Sequence, residues 1–241
     1  MKEVNKPIIG ILGVPAYDNE GSRIIAITNS CKNAIISKGC IPLVIFPLLN
    51  IDYCNKKLND IPNLTEEEEK IYKEMVDMCD GIIIPGGNRM YNFDYFVAKY
   101  AIEKDIPLIG ICLGMQLLAN IDNEEYCLQL NNTNINHANS NADYVHKVKI
   151  VDNTLLGQII GEKEITVNSN HKYNVSKINN YIVSAYSEDG LIEAIEMHNK
   201  RFVIGIQWHP EKLLEHDINS NKLFDRFVSE CITTKSTNNN I

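Results

Sequence analysis

A cysteine between a predicted strand and a predicted helix could serve as a nucleophile. Cys112 follows the apolar run 107–111 and precedes the helix-forming segment 113–118, which places it at the carboxyl end of a buried strand. Gly110 and Gly114 flank it at equal spacing and would permit a sharp turn, while a helix N-terminus favours the thiolate. The pattern is typical of a nucleophile elbow, although a packed core cysteine fits it as well.

Two further segments could supply the remaining parts of a covalent mechanism. His209 and Glu211 lie two residues apart, just beyond the apolar run 202–207. Both side chains could enter one cleft there, with the carboxylate fixing the imidazole tautomer. After another buried run, the glycines of 85–87 leave a bare amide that could bind an oxyanion together with the amide of Leu113. A surface His-x-Glu pair and a plain tight turn are the alternatives.

The elements that must position these residues alternate in the first half of the chain. Apolar runs predict strands at 8–12, 43–46, 81–85 and 107–111. Helical patterns follow them at 22–38, from Thr65 onward, at 93–104 and at 113–119. Thr65 and Glu68 have the spacing of a capping box. This alternation predicts an α/β fold with a parallel sheet and helices on both faces.

The second half of the chain has a different pattern of apolar residues. Short apolar runs separated by turn signals predict strands at 145–151, 165–168, 181–185, 192–197 and 202–207. An amphipathic helix is expected at 219–231, and a frayed tail at 235–241. The Asn-rich segment 131–141 predicts a mobile surface loop that could act as a lid. Without a long linker or an internal repeat, residues 1–241 are expected to form one domain.

The amino-acid composition narrows the classes of molecule that this protein is expected to bind. The 241 residues are 44% apolar and carry 23 basic against 31 acidic side chains, a net charge of −8. Nonspecific nucleic-acid or anionic-lipid binding depends on Lys/Arg clusters, so neither is expected. No run approaches the roughly 18 apolar residues of a membrane span. We therefore expect a cytoplasmic protein that binds a small molecule.

The cysteines and histidines show no spacing typical of a disulfide framework or a metal site. Seven cysteines contain no Cys-x-x-Cys pair, and six histidines contain no i, i+4 pair, so no structural metal is predicted. Small buried thiols are expected at Cys31, Cys40, Cys79 and Cys231. Surface positions are expected for His137, His198 and His216, and solvated carboxylates for Asp52 and Asp94.

The combined motifs resemble a known superfamily. The segments 85–87, 110–116 and 208–211 are similar, in order and spacing, to the three signatures of class I glutamine amidotransferase-like proteins. In the second half, the segments 146–148, 167–171 and 189–196 resemble the peptidase C26 family, which includes γ-glutamyl-γ-aminobutyrate hydrolases. The resemblance implies a flavodoxin-like three-layer sandwich with a mostly parallel central sheet and a β-rich extension.

The resemblance also implies residue roles. Cys112 would be the nucleophile, His209 the general acid/base and Glu211 its orienting partner. The oxyanion-hole amides would come from Gly87 and Leu113. Substrate contacts would come from Gly86, Gln116 and His171. No cofactor is implied, and a homodimer is expected only by analogy.

Three departures from the family pattern surround the substrate entrance that the resemblance implies. Leu113 stands where the hydrolase branch usually has arginine, as in many ammonia-donating amidotransferases. Asn88-Arg89-Met90-Tyr91 replaces an acidic residue and a proline-containing loop. The segment 121–141 replaces an expected Gly-Gly segment.

Three functions remain open from the sequence. The first is a hydrolase of small γ-glutamyl amines that acts through a γ-glutamyl thioester. The second is a glutaminase subunit that delivers ammonia to a separate synthase, which Leu113 favours. The third is a noncatalytic protein that binds a γ-glutamyl metabolite.

Overall fold

A computed structural model describes residues 6–57, 60–121 and 127–238. Its strands are β1 (Ile8–Leu12), β2 (Val14–Tyr17), β3 (Arg23–Ala26), β4 (Ile41–Ile45), β5 (Gly81–Ile84), β6 (Leu108–Ile111), β7 (Leu128–Leu130), β8 (Ala138–Asn139), β9 (His146–Ile150), β10 (Glu164–Val167), β11 (Ser169–Asn170), β12 (Tyr173–Val175), β13 (Ile182–Ser187), β14 (Ile192–Glu196) and β15 (Val203–Ile206). Its helices are α1 (Asn29–Ser37), α2 (Glu66–Asp77), α3 (Asn92–Glu103), α4 (Leu113–Asn120), α5 (Leu155–Ile160) and α6 (Ile218–Asn238).

Nine of these strands form one sheet in the order β10-β9-β13-β14-β15-β6-β5-β1-β4. The pairs β15–β6, β6–β5, β5–β1 and β1–β4 are parallel. Beyond β15, the remaining strands pair antiparallel. The parallel half has the flavodoxin-like order, in which ligands bind beyond the carboxyl ends of the strands. The predicted α/β fold and its β-rich extension are confirmed.

Helices cover both faces of the sheet because its central strands β1, β5, β6 and β15 are buried on both sides. One buried cluster contains side chains of α1, α5 and α6, including Ile35, Leu156 and Phe224. The other contains side chains of α2, α3 and α4, including Tyr72 and Phe93. The fold is therefore a three-layer sandwich, and Cys31, Cys40, Cys79 and Cys231 are buried as predicted.

The helix predicted at 22–38 is wrong over its first seven residues, 22–28. Residues Val14–Tyr17 and Arg23–Ala26 instead pair as an antiparallel hairpin, and the helix begins only at Asn29. The β-branched residues Ile24 and Ile25 favour the strand. Thr28 then caps the helix by accepting a hydrogen bond from the amide of Cys31. The capping box of Thr65 and Glu68, by contrast, forms as predicted.

Part of the Asn-rich segment 131–141 is ordered by pairing. Strand β8 within it pairs antiparallel with β11. Most of its residues are exposed or half-buried, as predicted, but His137 is only 2% exposed. The closing helix is longer than predicted and continues to Asn238, through part of the segment expected to fray. Residues 239–241 lie outside the described residues.

None of the helices in the described ranges combines the length and apolar character needed to cross a bilayer.

Helix α4 packs unusually close to strand β5. A Cβ added at Gly114 would lie 2.2 Å from the carbonyl oxygen of Ile84, and one at Gly110 would lie 2.7 Å from the backbone of Gly114. Only glycine permits these approaches, because the obstructing atoms are backbone. The two glycines that flank Cys112 therefore set the distance between the sheet and the first turn of the helix.

Gly114→Ala should destabilise the fold by about 3 kcal/mol, because overpacking against backbone cannot be relieved by a side-chain rotation. Gly39→Ala is the control. Its Cβ would meet nothing within 4 Å, and only its φ of +76° is unfavourable, which costs about 1 kcal/mol. Denaturant unfolding measures both values. Equal stability of Gly114→Ala and the wild type would contradict the close approach.

Candidate active site

The backbone at Cys112 is strained in the way a nucleophile elbow requires. Its φ is +51° and its ψ is −102°, a conformation that costs a non-glycine residue about 1–3 kcal/mol. Its amide donates a 2.7 Å hydrogen bond to the carbonyl of Ile206 at the end of β15. Cys112 is thus fixed at the carboxyl end of the parallel strands and is the N-cap of α4, whose N-terminus favours an anion.

His209 and Glu211 lie beyond the end of the neighbouring strand β15. His209 precedes a 3₁₀ turn, Pro210–Lys212, which brings the carboxylate of Glu211 back toward the imidazole. The Nδ1 atom of His209 is 2.8 Å from Oε1 of Glu211. The carboxylate accepts a hydrogen bond there, so Nδ1 carries a proton.

The backbone of His209 is held by a side chain to which the sequence analysis gave no role. Oδ1 of Asn168 accepts a 2.8 Å hydrogen bond from the amide of His209, and its Nδ2 donates a 2.9 Å hydrogen bond to the carbonyl of the same residue. Asn168 is buried. This two-point contact fixes the position from which the imidazole projects.

The side chains of Cys112 and His209 meet beside Gly86. A Cβ added at Gly86 would lie 2.9 Å from Cε1 of His209 and 3.4 Å from Cβ of Cys112. Burial lowers the pKa of His209, but hydrogen bonds with Cys112 and Glu211 outweigh this effect and raise it to about 10. His209 is therefore protonated at neutral pH and can stabilise a neighbouring thiolate.

The predicted oxyanion-hole residues are neighbours. A Cβ added at Gly87 would lie 3.2 Å from Cδ2 of Leu113. Leu113 is the first residue of α4, so its amide has no acceptor within the helix. Both residues are at least partly exposed. Their role in binding an oxyanion stays a prediction.

Two of the predicted substrate contacts are engaged within the protein. Nε2 of Gln116 donates hydrogen bonds to the carbonyl of Tyr173 at 3.0 Å and to Oε1 of Gln207 at 3.1 Å. Nδ1 of His171 lies 2.9 Å from the same Tyr173 carbonyl, and its side chain is 1% exposed. Contact of either residue with a substrate stays a prediction.

A narrow cleft lies beside Gly86 and Leu113 and includes Asp94 in its lining. The expectation of a solvated Asp94 is wrong, because this residue is only 9% exposed. Its carboxylate accepts a 2.9 Å hydrogen bond from the amide of Tyr91 at the start of α3. Burial raises the pKa of Asp94 to about 8.

Arg89, in the segment that departs from the family pattern, also lines this cleft. Its guanidinium donates hydrogen bonds to three carbonyls, those of Tyr53, Cys54 and Lys56, at 3.0, 3.3 and 2.6 Å. Asp52, just before them, is partly exposed and accepts hydrogen bonds from Tyr17 and Asn55. Arg89 therefore ties the segment 88–91 to the loop 53–56.

The structure also buries a second group of polar side chains. We call it the His–Glu cluster; its members are His137, His146, His171 and Glu193. The expectation that His137 lies at the surface is wrong, whereas His198 and His216 are exposed as predicted.

Asp189 holds Nε2 of His137 at 3.0 Å. Burial opposes its charge, but hydrogen bonds from Ser187, Thr133 and His137 hold the pKa of Asp189 well below its usual range. Within residues 6–57, 60–121 and 127–238, the four members of the cluster are the group of side chains that could hold a metal.

Comparison with known proteins bears on the nature of the site. Residues 90–211 match the peptidase C26 family. A glutamine amidotransferase-like protein of Rickettsia prowazekii is 29% identical, over 90% of this chain and 95% of its own. CTP synthase of Mesoplasma florum is 29% identical over 69% of this chain, which spans only 37% of that enzyme.

Structural comparison shows the fold. The glutaminase domain of Trypanosoma brucei CTP synthase, solved with bound acivicin, superposes with a TM-score of 0.61 at 15% identity, covering 96% of this chain and 94% of that domain. The family match spans more than half of the chain and includes Cys112, His209 and Glu211. The chain therefore belongs to the peptidase C26 family, within the class I glutamine amidotransferase-like superfamily.

Proposed function

We propose that this protein is a cysteine-dependent hydrolase that cleaves the γ-glutamyl amide bond of a small γ-glutamyl amine and releases glutamate. The single observation that carries the proposal is the meeting of Cys112 and His209 beside Gly86, with Glu211 2.8 Å from the far side of the imidazole. A strained cysteine, a base and an orienting acid are the parts of a covalent acyl-transfer mechanism.

In the first half-reaction, Sγ of Cys112 attacks the γ-carbonyl carbon. Negative charge moves onto the carbonyl oxygen, where the amides of Gly87 and Leu113 would stabilise it; one good donor of this kind is worth about 3 kcal/mol. The tetrahedral intermediate collapses as the C–N bond breaks and the His209 imidazolium protonates the departing amine. A γ-glutamyl thioester on Cys112 and a free amine result.

In the second half-reaction, neutral His209 takes a proton from water as the oxygen attacks the thioester. The C–S bond breaks, glutamate leaves, and the proton left on His209 restores the imidazolium–thiolate pair. Glu211 keeps Nδ1 protonated in both steps, so that Nε2 exchanges the proton. Apart from water, the protein's own residues supply every group that these two half-reactions use.

A glutaminase that delivers ammonia to a separate synthase is the second candidate. Leu113 after the nucleophile and the similarity to CTP synthases favour it. The chemistry at Cys112 would be the same, with ammonia as the leaving group. The two candidates differ in the leaving group accepted and in dependence on a partner.

The substrate test uses the purified chain alone with glutamine, γ-glutamyl-γ-aminobutyrate and other γ-glutamyl amines, and follows glutamate release. Hydrolysis of γ-glutamyl amines in preference to glutamine is expected. Turnover of glutamine only, raised by adding a synthase, would instead establish the ammonia-donating function. No glutamate release from any of these substrates would reject the hydrolase.

Cys112→Ala should lower glutamate release by about 10⁴-fold or more, because the covalent route is lost. The fold should persist, as judged by circular dichroism and by the unfolding midpoint. Cys54→Ala is the matched control, since Cys54 is a partly exposed free thiol outside the site, and it should keep full activity. Undiminished activity of Cys112→Ala would defeat the assignment.

Glu211→Gln should lower kcat by about 10²-fold and move the alkaline limb of the pH–rate profile to lower pH. The sign follows from His209, whose pKa is raised in part by Glu211. Without that carboxylate the imidazolium loses its proton at lower pH, and protonation of the leaving amine fails earlier. Glu215→Gln, an exposed acid in the same segment, is the control. An unshifted limb in Glu211→Gln would contradict the role.

A further inference from the structure

The His–Glu cluster is a second polar site that the proposed reaction does not use. Its members come from four separate stretches of chain: His137 from the Asn-rich segment, His146 from the start of β9, His171 from the turn after β11, and Glu193 from the second position of β14. All four side chains are 0–1% exposed. One nitrogen or oxygen atom from each lies within 4.8 Å of all the others.

The three distances from Glu193 to the histidines are closer to those between ligands around an ion than to those of hydrogen bonds. Oε1 of Glu193 lies 3.4 Å from Nδ1 of His137, 3.6 Å from Nε2 of His146 and 3.5 Å from Nε2 of His171. Charge-assisted hydrogen bonds are shorter, at about 2.7–2.9 Å. A tetrahedral zinc ion with ligands at about 2.0–2.1 Å separates neighbouring ligand atoms by about 3.3–3.4 Å.

The side-chain atoms of the cluster that face its centre form no hydrogen bond with a described residue. Among the described residues, neither carboxylate oxygen of Glu193 and none of the three inward ring nitrogens has a hydrogen-bond partner. Buried polar atoms are rarely left in this state. Four of these atoms, one from each residue, lie within 4.8 Å of one another, which indicates a missing common partner.

The contacts of the outward ring nitrogens determine whether the inward ring nitrogens carry a proton or a lone pair. Nε2 of His137 lies 3.0 Å from the carboxylate of Asp189. Nδ1 of His146 faces a backbone carbonyl at 3.2 Å, and Nδ1 of His171 faces another at 2.9 Å. These oxygens only accept. The carbonyl is also nearer to Nδ1 of His171 than Nδ2 of Asn131 is, at 3.4 Å, so each outward nitrogen carries the proton. A neutral ring then directs its lone pair toward Glu193, and such backing of histidine ligands by carbonyls and carboxylates is typical of metal sites.

Charge also favours an ion. Three imidazolium rings would leave a net positive charge in a closed site even with Glu193 and Asp189 both ionised, and buried unbalanced charge is costly. Any neutral ring carries its proton on the outward nitrogen. The lone pair of its inward nitrogen would then face the Glu193 carboxylate, and the two would repel each other. A divalent cation with three neutral rings and these two carboxylates gives a net charge of zero.

We propose that the His–Glu cluster binds one divalent transition-metal ion, for which zinc is the best match. Three imidazole nitrogens and one carboxylate oxygen complete a tetrahedron of ligands that zinc accepts. All four are protein ligands, which is typical of a structural site rather than a catalytic one. The ion would join the Asn-rich segment to β14 and to the turn after β11.

This position links the metal to the active site. Asn168, which holds both backbone groups of His209, lies three residues before His171. The carbonyl of Tyr173, two residues after His171, accepts hydrogen bonds from His171 and Gln116. The ion would therefore be a positioning element for segment 168–173, and His171 would be a metal ligand rather than a substrate contact.

The test is metal analysis of the intact chain, purified without a metal-affinity tag, by inductively coupled plasma mass spectrometry. About one zinc per chain is expected. Prolonged treatment with a chelator should remove it and lower the melting temperature, and added Zn²⁺ should restore both values. Wild type that holds no transition metal as purified, and that neither binds Zn²⁺ nor gains stability from it, would overturn the proposal.

Variants locate the ion. His146→Gln and Glu193→Gln should lose the zinc, and Asp189→Asn should weaken binding by about 10–100-fold as an outer partner of His137. His216→Gln, an exposed histidine outside the cluster, is the control and should retain it. If a ligand variant fails to fold, Co²⁺ substituted into the wild type should give the visible absorption of tetrahedral nitrogen–oxygen coordination. Zinc retained at full stoichiometry in the two ligand variants, or octahedral Co²⁺ spectra, would contradict the assignment.

Discussion

The proposed chemistry depends on one contact, that between the imidazole of His209 and the side chain of Cys112. The two residues lie beyond the carboxyl ends of adjacent parallel strands, β15 and β6, and the amide of Cys112 is bonded to the end of β15. Strand register therefore sets the distance between them. The close packing of Gly114 against Ile84 then determines the direction in which Cys112 leaves the sheet.

A layer of buried polar groups supports this contact from behind. Glu211 fixes the imidazole tautomer, and Asn168 fixes the backbone of His209. The His–Glu cluster, with the ion we propose, would in turn hold the segment that carries Asn168. In this account the antiparallel half of the sheet also supports the active site, because its strand β14 places Glu193 beside the three histidines of the cluster.

Much of this arrangement could be predicted from the sequence. Buried apolar runs and capping signals identified the parallel strands and their helices, since those patterns are local. The position of Cys112 between strand and helix, and of His209 after a strand, followed from the same reasoning. The hairpin at Val14–Ala26 was missed because its isoleucines also fit a helical period, and tertiary contacts decided between the two.

The His–Glu cluster could not be found from spacing. Its four members are separated by up to 56 positions and share no motif, so their convergence depends on the register of β9 and β14. The one local signal was an acid, Glu193, inside the apolar run 191–195. Asp94 was misjudged for a related reason, because its carboxylate folds back onto the start of its own helix instead of facing water.

The most direct test of the central claim is to trap the covalent intermediate. The wild-type chain is mixed with a γ-glutamyl amine, quenched in acid within milliseconds to seconds, digested and mapped by mass spectrometry. The account predicts a γ-glutamyl group on the peptide that contains Cys112, appearing before steady-state release of glutamate. Glutamate release with no adduct on that peptide at any quench time, or with the adduct on a different residue, would contradict it.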